Sequence, residues 1–387
     1  MHICHVVLSN IGGAPKVAAS LIKSQSSGGA QVSVIVLCDL HPSWSVDFAP
    51  ARLEILRSAG SAFHIGGPIA QIQAAWQLGT AIASLQPDLL ISHATFVTKL
   101  VFLGQMFMGI GQIPNIGYVH SDYLTELVGS DTPIRTAGGH LVKWLDFMAL
   151  GRAAGVVFVG QTLRARFAEL GFCHPRAIVS YNPVVISQEP AVLHPLAETW
   201  LTDDRLATFV CAARFHPQKD HQTLLEAIAR LYPTYPNLRL ILLGDGELEP
   251  QMQAYAAQLG IKDVVLFAGC VPQTFPYFQK ARAVVLPSHF EGLSLVLIEA
   301  TASGTPFIAS DCPGSNRELA TILECGSLVP PGDVTALAGA IASQITSPIE
   351  KIDRAAQMTE LFSEAGCDRR LNHLIEQILS EREPTKT

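Results

Sequence analysis

Two doubly wound α/β domains in series are the fold this sequence predicts, on three observations. Short apolar runs alternate with helix-length amphipathic segments, pause at a proline-bearing stretch, and then start again. Alternation of this kind builds a parallel sheet covered on both faces. The chain has 387 residues, enough for two full-sized cores, and only 15% are charged, so most helices have a face to bury.

In the first half, strands are expected at Ile3–Leu8, Val32–Leu37, Leu89–Ser92, Asn115–His120, Gly155–Val159 and Arg176–Ser180. Helices are expected at Ala14–Ser26, Ile69–Ser84, Thr136–Arg152 and Thr162–Leu170. The segment Asn182–Pro195, with prolines at 183, 190 and 195, reads as a linker. The pattern resumes with strand Thr208–Ala212, helix Thr223–Leu231, strand Leu238–Leu243, helix Leu248–Leu259 and strand Val264–Phe267. Strand Ala283–Leu286, helix Leu293–Ser303, strands Phe307–Ser310 and Ser327–Val329, and helix Val334–Ile345 complete it. The tail Asp368–Ile378 is amphipathic, with Leu371, Leu374, Ile375 and Ile378 on one face.

Composition narrows the function. Residues 1–185 carry 11 Lys/Arg against 9 Asp/Glu and the remainder 15 against 24, so neither half has the basic balance of a nucleic-acid binder. Only the first half suits an anionic surface. Eight scattered cysteines without C-x-x-C spacing point to reduced thiols in a cytoplasmic protein. The N-terminus lacks the basic start and apolar core of a signal peptide, and no apolar run approaches the roughly 20 residues that span a bilayer.

The stretch richest in chemistry is His289-Phe-Glu-Gly-Leu-Ser-Leu-Val-Leu-Ile-Glu299. The preceding strand delivers Glu291 to the carboxyl edge of its sheet, where open α/β sheets bind ligands. Pro287 and Gly292 break the chain there, and the following helix turns the free N–H groups of its first turn, near Ser294, Leu295 and Val296, into the same crevice. Those groups suit a phosphate, and Glu299, within two turns, can accept bonds from sugar or ribose hydroxyls. A lone glutamate is by default a solvated acid. The eight-residue spacing and the Gly–Leu–Ser context favour the ligand reading.

A second stretch, Arg214-Phe-His-Pro-Gln-Lys-Asp-His221, follows the first strand of the second domain. A guanidinium fork and an ammonium together match a diphosphate. Asn10-Ile-Gly-Gly-Ala-Pro-Lys16 follows the first strand of the chain, and Gly12 and Gly13 permit close backbone approach to an anion. A plain tight turn fits them equally well. Neither this loop nor Gly244-Asp-Gly246 is a dinucleotide fingerprint.

Gly12-Gly13, Arg214 with Lys219, and Glu291-x7-Glu299 together resemble retaining glycosyltransferases of GT-B architecture, in the family 4-like group that builds bacterial surface polysaccharides. Lys219–Ala227, Ser310–Glu318 and Val329-Pro-Pro-Gly-Asp333 extend the resemblance over nearly the whole chain. It implies two Rossmann-like domains facing a central cleft, residues 1–184 on the acceptor side and 185–365 on the donor side, with a C-terminal helix (366–387) packed back on the first. It further implies that Arg214 and Lys219 hold the donor diphosphate, that Gly292, Leu293, Ser294, Leu295 and Val296 line the donor, that Glu299 holds the ribose and that Glu291 contacts the sugar. Gly12 and Gly13 would approach the phosphates, and His120 would sit beside the transferred sugar. From the residues alone, His120 is a histidine at a strand end, as well explained by structure as by function. Two departures stand out: Pro15 where relatives commonly have Glu, and Ser315 where they often have Gly.

By the same resemblance the donor is a nucleotide diphosphate sugar, most commonly UDP-linked, carrying a hexose or N-acetylhexosamine. No cofactor is needed. No Asp-x-Asp occurs in the chain, which fits Arg214 and Lys219 in place of a metal. The acceptor is a glycan or a polyprenyl-linked glycan at the inner face of the membrane. Val101–Ile110 and Leu141–Met148 are apolar enough to rest on a lipid surface, although buried helices of an apolar protein are the simpler account of both. A soluble transferase with a small acceptor and a non-catalytic nucleotide-sugar-binding protein remain the alternatives.

Overall fold

The computed structural model describes residues 1–9, 13–38, 46–56, 60–61, 64–65, 67–121, 137–184, 192–349, 358 and 361–381. It comprises two compact units, Met1–Pro183 with Phe362–Thr387, and Val184–Leu361. Most of the expected linker, residues 185–191, lies outside the described residues.

The first unit runs β1 (His2–Val7), α1 (Gly13–Ser27), β2 (Gln31–Val36), β3 (Arg52–Ile55), the short pair β4 (Gly60–Ser61) and β5 (His64–Ile65), and α2 (Pro68–Leu85). It continues through β6 (Leu89–His93), α3 (Thr95–Met108), β7 (Asn115–Val119), α4 (Ala137–Gly151), β8 (Gly155–Phe158), α5 (Gln161–Glu169) and β9 (Ala177–Val179). Seven strands form one parallel sheet in the order β3-β2-β1-β6-β7-β8-β9. The central strands are apolar runs because helices cover both faces.

In this unit the list of expected elements omits β3, β4 and β5, and it touches α3 only through the Val101–Ile110 stretch, one of whose two readings is a buried helix. Strand β3 is an edge strand whose Arg52, Leu53 and Ile55 are exposed, so no apolar run marks it. Helix α3 is apolar almost all round, which erases its period; its one charged residue, Lys99, is buried against Asp146 of α4 at 2.9 Å.

The second unit contains α6 (Pro195–Thr202), β10 (Ala207–Ala212), α7 (His221–Leu231), β11 (Leu238–Leu243), α8 (Glu249–Gln258), β12 (Val265–Gly269) and α9 (Phe275–Lys280). Then come β13 (Ala283–Leu286), α10 (Leu295–Ala302), β14 (Phe307–Ser310), α11 (Asn316–Leu323), β15 (Gly326–Val329) and α12 (Val334–Thr346). Its parallel sheet has the order β12-β11-β10-β13-β14-β15.

The last helix, α13 (Glu364–Ser380), belongs to the first unit. Leu371, Leu374, Ile375 and Ile378 are buried, the face that the amphipathic pattern marks. Leu374 and Ile378 pack over Gly155 at the start of β8, the Cys367 thiol donates to the Tyr181 carbonyl at 2.9 Å, and Ser20 of α1 donates to Glu364 at 2.6 Å.

Helices α2 and α3 cross with their backbones in contact. A Cβ placed on Gly79 would lie 2.5 Å from the Gly104 carbonyl oxygen, and one on Gly104 would lie 2.6 Å from that of Ala75. Gly79→Ala should therefore push the helices apart and destabilise the first unit by about 2 kcal/mol, the usual cost of overpacking. Chemical denaturation measures it, and an unchanged midpoint would mean that the crossing is loose.

Candidate functional site

In both sheets the chain winds outward from its first strand in one direction and then returns to wind in the other. In the second unit the reversal lies between β10 and β13, and in the first between β1 and β6. Connections leaving neighbouring strands on opposite sides open a crevice at their carboxyl ends, which is where such sheets take ligands.

In the second unit that point holds Arg214 and Lys219, after β10, and Glu291, after β13. Lys219 sits on a single 3-10 turn, Pro217–Lys219, capped by the His216 side chain. Its Nζ donates to Glu291 Oε1 at 2.5 Å. Ser288 Oγ donates to the same oxygen at 2.6 Å, while Oε2 takes no bond among the described residues. Glu291 is 5% exposed, so its pairing is not that of a solvated acid.

Backbone bonds hold the two loops together. The His289 amide donates to the Gln218 carbonyl at 2.8 Å, and the Gln218 side chain donates to the Phe290 carbonyl at 2.8 Å. On the other side the Glu291 amide donates to Pro313 at 2.9 Å and the Ser315 amide to Gly292 at 3.0 Å. Gly314 permits that contact, since a Cβ there would overlap the Glu291 carbonyl, and its φ of +123° is one that L side chains rarely adopt. Ser315 keeps this bond through its backbone, and its buried hydroxyl has no partner among the described residues.

Helix α10 begins two residues later than the sequence suggests. Ser294 precedes it but does not cap it, because its hydroxyl donates instead to Asn316 Oδ1 at 2.5 Å. The first-turn amides at Leu295 and Val296 therefore lack a side-chain cap. Glu299 accepts from Thr274 Oγ1 at 2.7 Å. Gln218 and Thr274 escape sequence reasoning because each acts on a partner far along the chain, and Ser288, three residues before Glu291 in the same loop, carries no motif that marks it. Gly244 and Gly246 permit close packing: a Cβ at Gly246 would lie 2.5 Å from the Phe215 carbonyl, so the loop after β11 can lie against the Arg214 loop.

Burial dominates the ionisation of the neighbours. It holds His221, stacked on Phe215, down to about 4, with Lys219 adding to the effect. Burial also pushes the Cys211 thiol up to about 12, opposed by Lys219 and reinforced by Glu291. All eight cysteines are free.

At the reversal of the first sheet, Gly13 opens α1 and is exposed, while Gly12 lies outside the described residues. Pro15 is buried in the first turn of α1. His120 follows β7 directly, with Nε2 3.2 Å from Nδ1 of His93 at the end of β6. Its own Nδ1 is buried and has no partner among the described residues. The next residue after His93, Ala94, holds φ at +117°, a strained backbone at the same edge.

Residues 197–361 match the model described as glycosyl transferases group 1, and residues 11–188 the model for glycosyltransferase family 4. The chain belongs to the family 4-like glycosyltransferases of GT-B fold. The lipopolysaccharide 1,6-galactosyltransferase of Escherichia coli K12 is 32% identical over 236 residues, covering 58% of this chain and 62% of that protein. Sucrose-phosphate synthase from Thermosynechococcus elongatus superposes with a TM-score of 0.78 at 18% identity, over 98% of this chain and 99% of that one. HepE of Anabaena, in complex with UDP-glucose, gives 0.73 at 18% identity, over 98% of this chain and all of its own (100%). At such identities the likeness shows the fold. The first curated relatives are matched over 14% to 64% of their own length.

The buried histidines make stability depend on pH. Burial lowers His5 to about 4 and His120 to about 3, whereas in the unfolded chain each takes a proton near 6.5. The unfolded state thus binds more protons below about 6.5, and stability is lost as pH falls from there towards 4. The thermal midpoint should decline through that window, each ring costing up to about 1.4 kcal/mol per pH unit. His5→Gln should flatten the profile; an equally steep decline in that variant would assign the loss to other groups.

Proposed function

We propose that this chain moves a hexose or N-acetylhexosamine from a nucleotide diphosphate sugar, UDP-linked, to a glycan or lipid-linked glycan in surface polysaccharide synthesis, with retention at the anomeric carbon. The observation that carries the reading is the Lys219–Glu291 pair at the reversal of the second sheet, beside Arg214 and the uncapped start of α10. Arg214, Lys219 and the amides of Leu295 and Val296 would hold the diphosphate. Glu299 would accept from the ribose, and the unused Oε2 of Glu291 from a sugar hydroxyl. As the bond from the anomeric carbon to the phosphate oxygen breaks, negative charge grows on the leaving diphosphate, where fixed cations and amides stabilise it. The acceptor oxygen bonds to the same carbon, and its proton passes to the departing phosphate. Resemblance supports the retention, and no metal ion enters the scheme. His120, whose buried Nδ1 has no partner among the described residues, would accept from a hydroxyl of the transferred sugar. The UDP-glucose complex of HepE and the galactosyl activity named for the Escherichia coli relative support the class of donor.

Arg214→Ala and Lys219→Ala should each weaken UDP binding roughly 10- to 100-fold, the worth of one charge-assisted bond. Glu299→Gln should mainly raise donor KM. Glu291→Gln, which removes charge without changing shape, should mainly lower kcat, and EDTA should leave turnover unaltered. Wild-type constants in all four variants would remove the donor site from this edge. UDP binding without sugar transfer or donor hydrolysis, over a panel of nucleotide sugars, would leave a binding protein.

A membrane-borne acceptor is favoured by the α2–α3 face. Ile72, Trp76, Met106 and Phe107 are exposed there, Trp76 at 56% and Met106 at 62%, and Ile72, Trp76 and Phe107 line a shallow groove. Helix α2 contains no charged residue, and the single lysine of α3 is turned inward to Asp146. Such a face fits the lipid interface, with Trp at the headgroup level. The protein should float with vesicles of anionic lipid, and Trp76→Ser with Phe107→Ser should abolish flotation. Turnover without flotation would turn the reading to a soluble acceptor.

A further inference from the structure

Behind His120 lies a line of buried polar groups that nothing described so far employs. Gln25 Oε1, on α1, is 2.8 Å from Nε2 of His5. Nδ1 of His5 is 2.9 Å from Nε2 of His93, and Nδ1 of His93 is 3.2 Å from Nε2 of His120. The rings lie nearly in one plane: His5 and His93 are tilted by 18° with centroids 5.2 Å apart, and His93 and His120 by 17° at 5.4 Å. That is the arrangement of rings bonded edge to edge.

The sheet explains the line. His5 lies on β1 two residues before Val7, the residue opposite His93 on β6; His93 in turn lies opposite Tyr118, two residues before His120. All of these side chains share one face, because alternate residues point the same way. The line therefore steps diagonally over three neighbouring strands, from beneath α1 to the carboxyl edge.

Hydrogen-bond logic gives the line a direction. A neutral imidazole has one N–H and one lone pair, and burial keeps all three rings neutral, His93 also under the influence of the other two. The Gln25 oxygen accepts, so His5 carries its hydrogen on Nε2 and offers Nδ1. His93 must then donate from Nε2, and so must His120. All three rings then adopt the Nε2–H tautomer that the free histidine side chain prefers. The lone pair at the end of the line is Nδ1 of His120, which is buried and meets no donor among the described residues.

We propose that Gln25, His5 and His93 are positioning residues that hold His120 in a single neutral tautomer, with its Nδ1 as the acceptor for a hydroxyl of the transferred sugar. The sugar's part rests on the proposed function; the tautomer does not. Gln25, which touches no ligand in this scheme, decides whether His120 accepts or donates. A wrong histidine tautomer is enough to disable an otherwise intact catalytic site.

Two measurements on the full-length protein test this. Long-range ¹H–¹⁵N NMR of histidine-labelled enzyme at pH 7 reads the tautomer of each ring, and all three should be neutral and protonated on Nε2. Gln25→Lys offers only donors to His5, so it should reverse the line and put the hydrogen of His120 on Nδ1. Its kcat should fall about tenfold or more while donor KM stays near wild type, since an acceptor facing the hydroxyl has become a donor. Gln25→Met controls for packing and should lose less. A wild-type His120 that is charged or protonated on Nδ1 overturns the proposal, as does a Gln25→Lys enzyme that keeps both tautomer and kcat. If Gln25→Lys does not fold, the wild-type spectrum decides. If the wild type transfers no sugar, the proposed function fails while the spectrum still decides the tautomer.

Discussion

The reversal of strand order beside the first strand of each sheet is the constraint on which the rest depends. Parallel strands need crossovers, and crossovers of one hand place the helices of the two directions on opposite faces. Only where the direction changes do neighbouring strands send their loops apart and leave room at the carboxyl edge. In the second unit this puts the loops after β10 and β13 side by side, and the residues that can meet a ligand are the ones they carry. The loops are rigid because their backbones bond directly to each other, from Gln218 through His289 and Glu291 to Pro313.

Electrostatics then sharpens the site. Glu291 is buried, and a buried carboxylate needs a cation and hydrogen bonds to remain charged. Lys219 and Ser288 supply both on one oxygen, which leaves the other for a ligand. Removing Lys219 alone would strand a buried charge, a larger change than losing the pair together. Nearby thiols are held protonated by burial, Cys211 and Cys312 each at about 12, so they act as small apolar side chains rather than nucleophiles.

The first unit solves a different problem, that of burying polar groups where helices cover both faces of a sheet. Lys99 meets Asp146, Ser92 meets Thr98 at 2.8 Å, and the histidines of β1, β6 and the end of β7 satisfy one another. Each of these groups is a cost unless it is paired. Every ring nitrogen of the histidine line but the last has a partner among the described residues. That ring nitrogen falls at the carboxyl edge, next to the strained Ala94.

Much of this was legible in the sequence. Apolar runs bounded by turn residues located β10, β11, β13 and β14 to within a residue, because a strand buried on both faces must be apolar throughout. The positions of Arg214, Lys219, Glu291 and Glu299 followed, since each is counted from the end of such a strand or the helix after it. Short-range pattern carries that information. It does not carry pairings between loops far apart in the chain: that Lys219 meets Glu291, that Thr274 meets Glu299, or that a glycine at 314 is needed for a backbone contact. His120 shows the division most clearly. By itself it is one histidine at a strand end, and the sequence offers no reason to connect it with His5 or Gln25. Strand register decided that connection, because only the alignment of β1, β6 and β7 brings three rings, drawn from 116 residues of chain, into one hydrogen-bonded line.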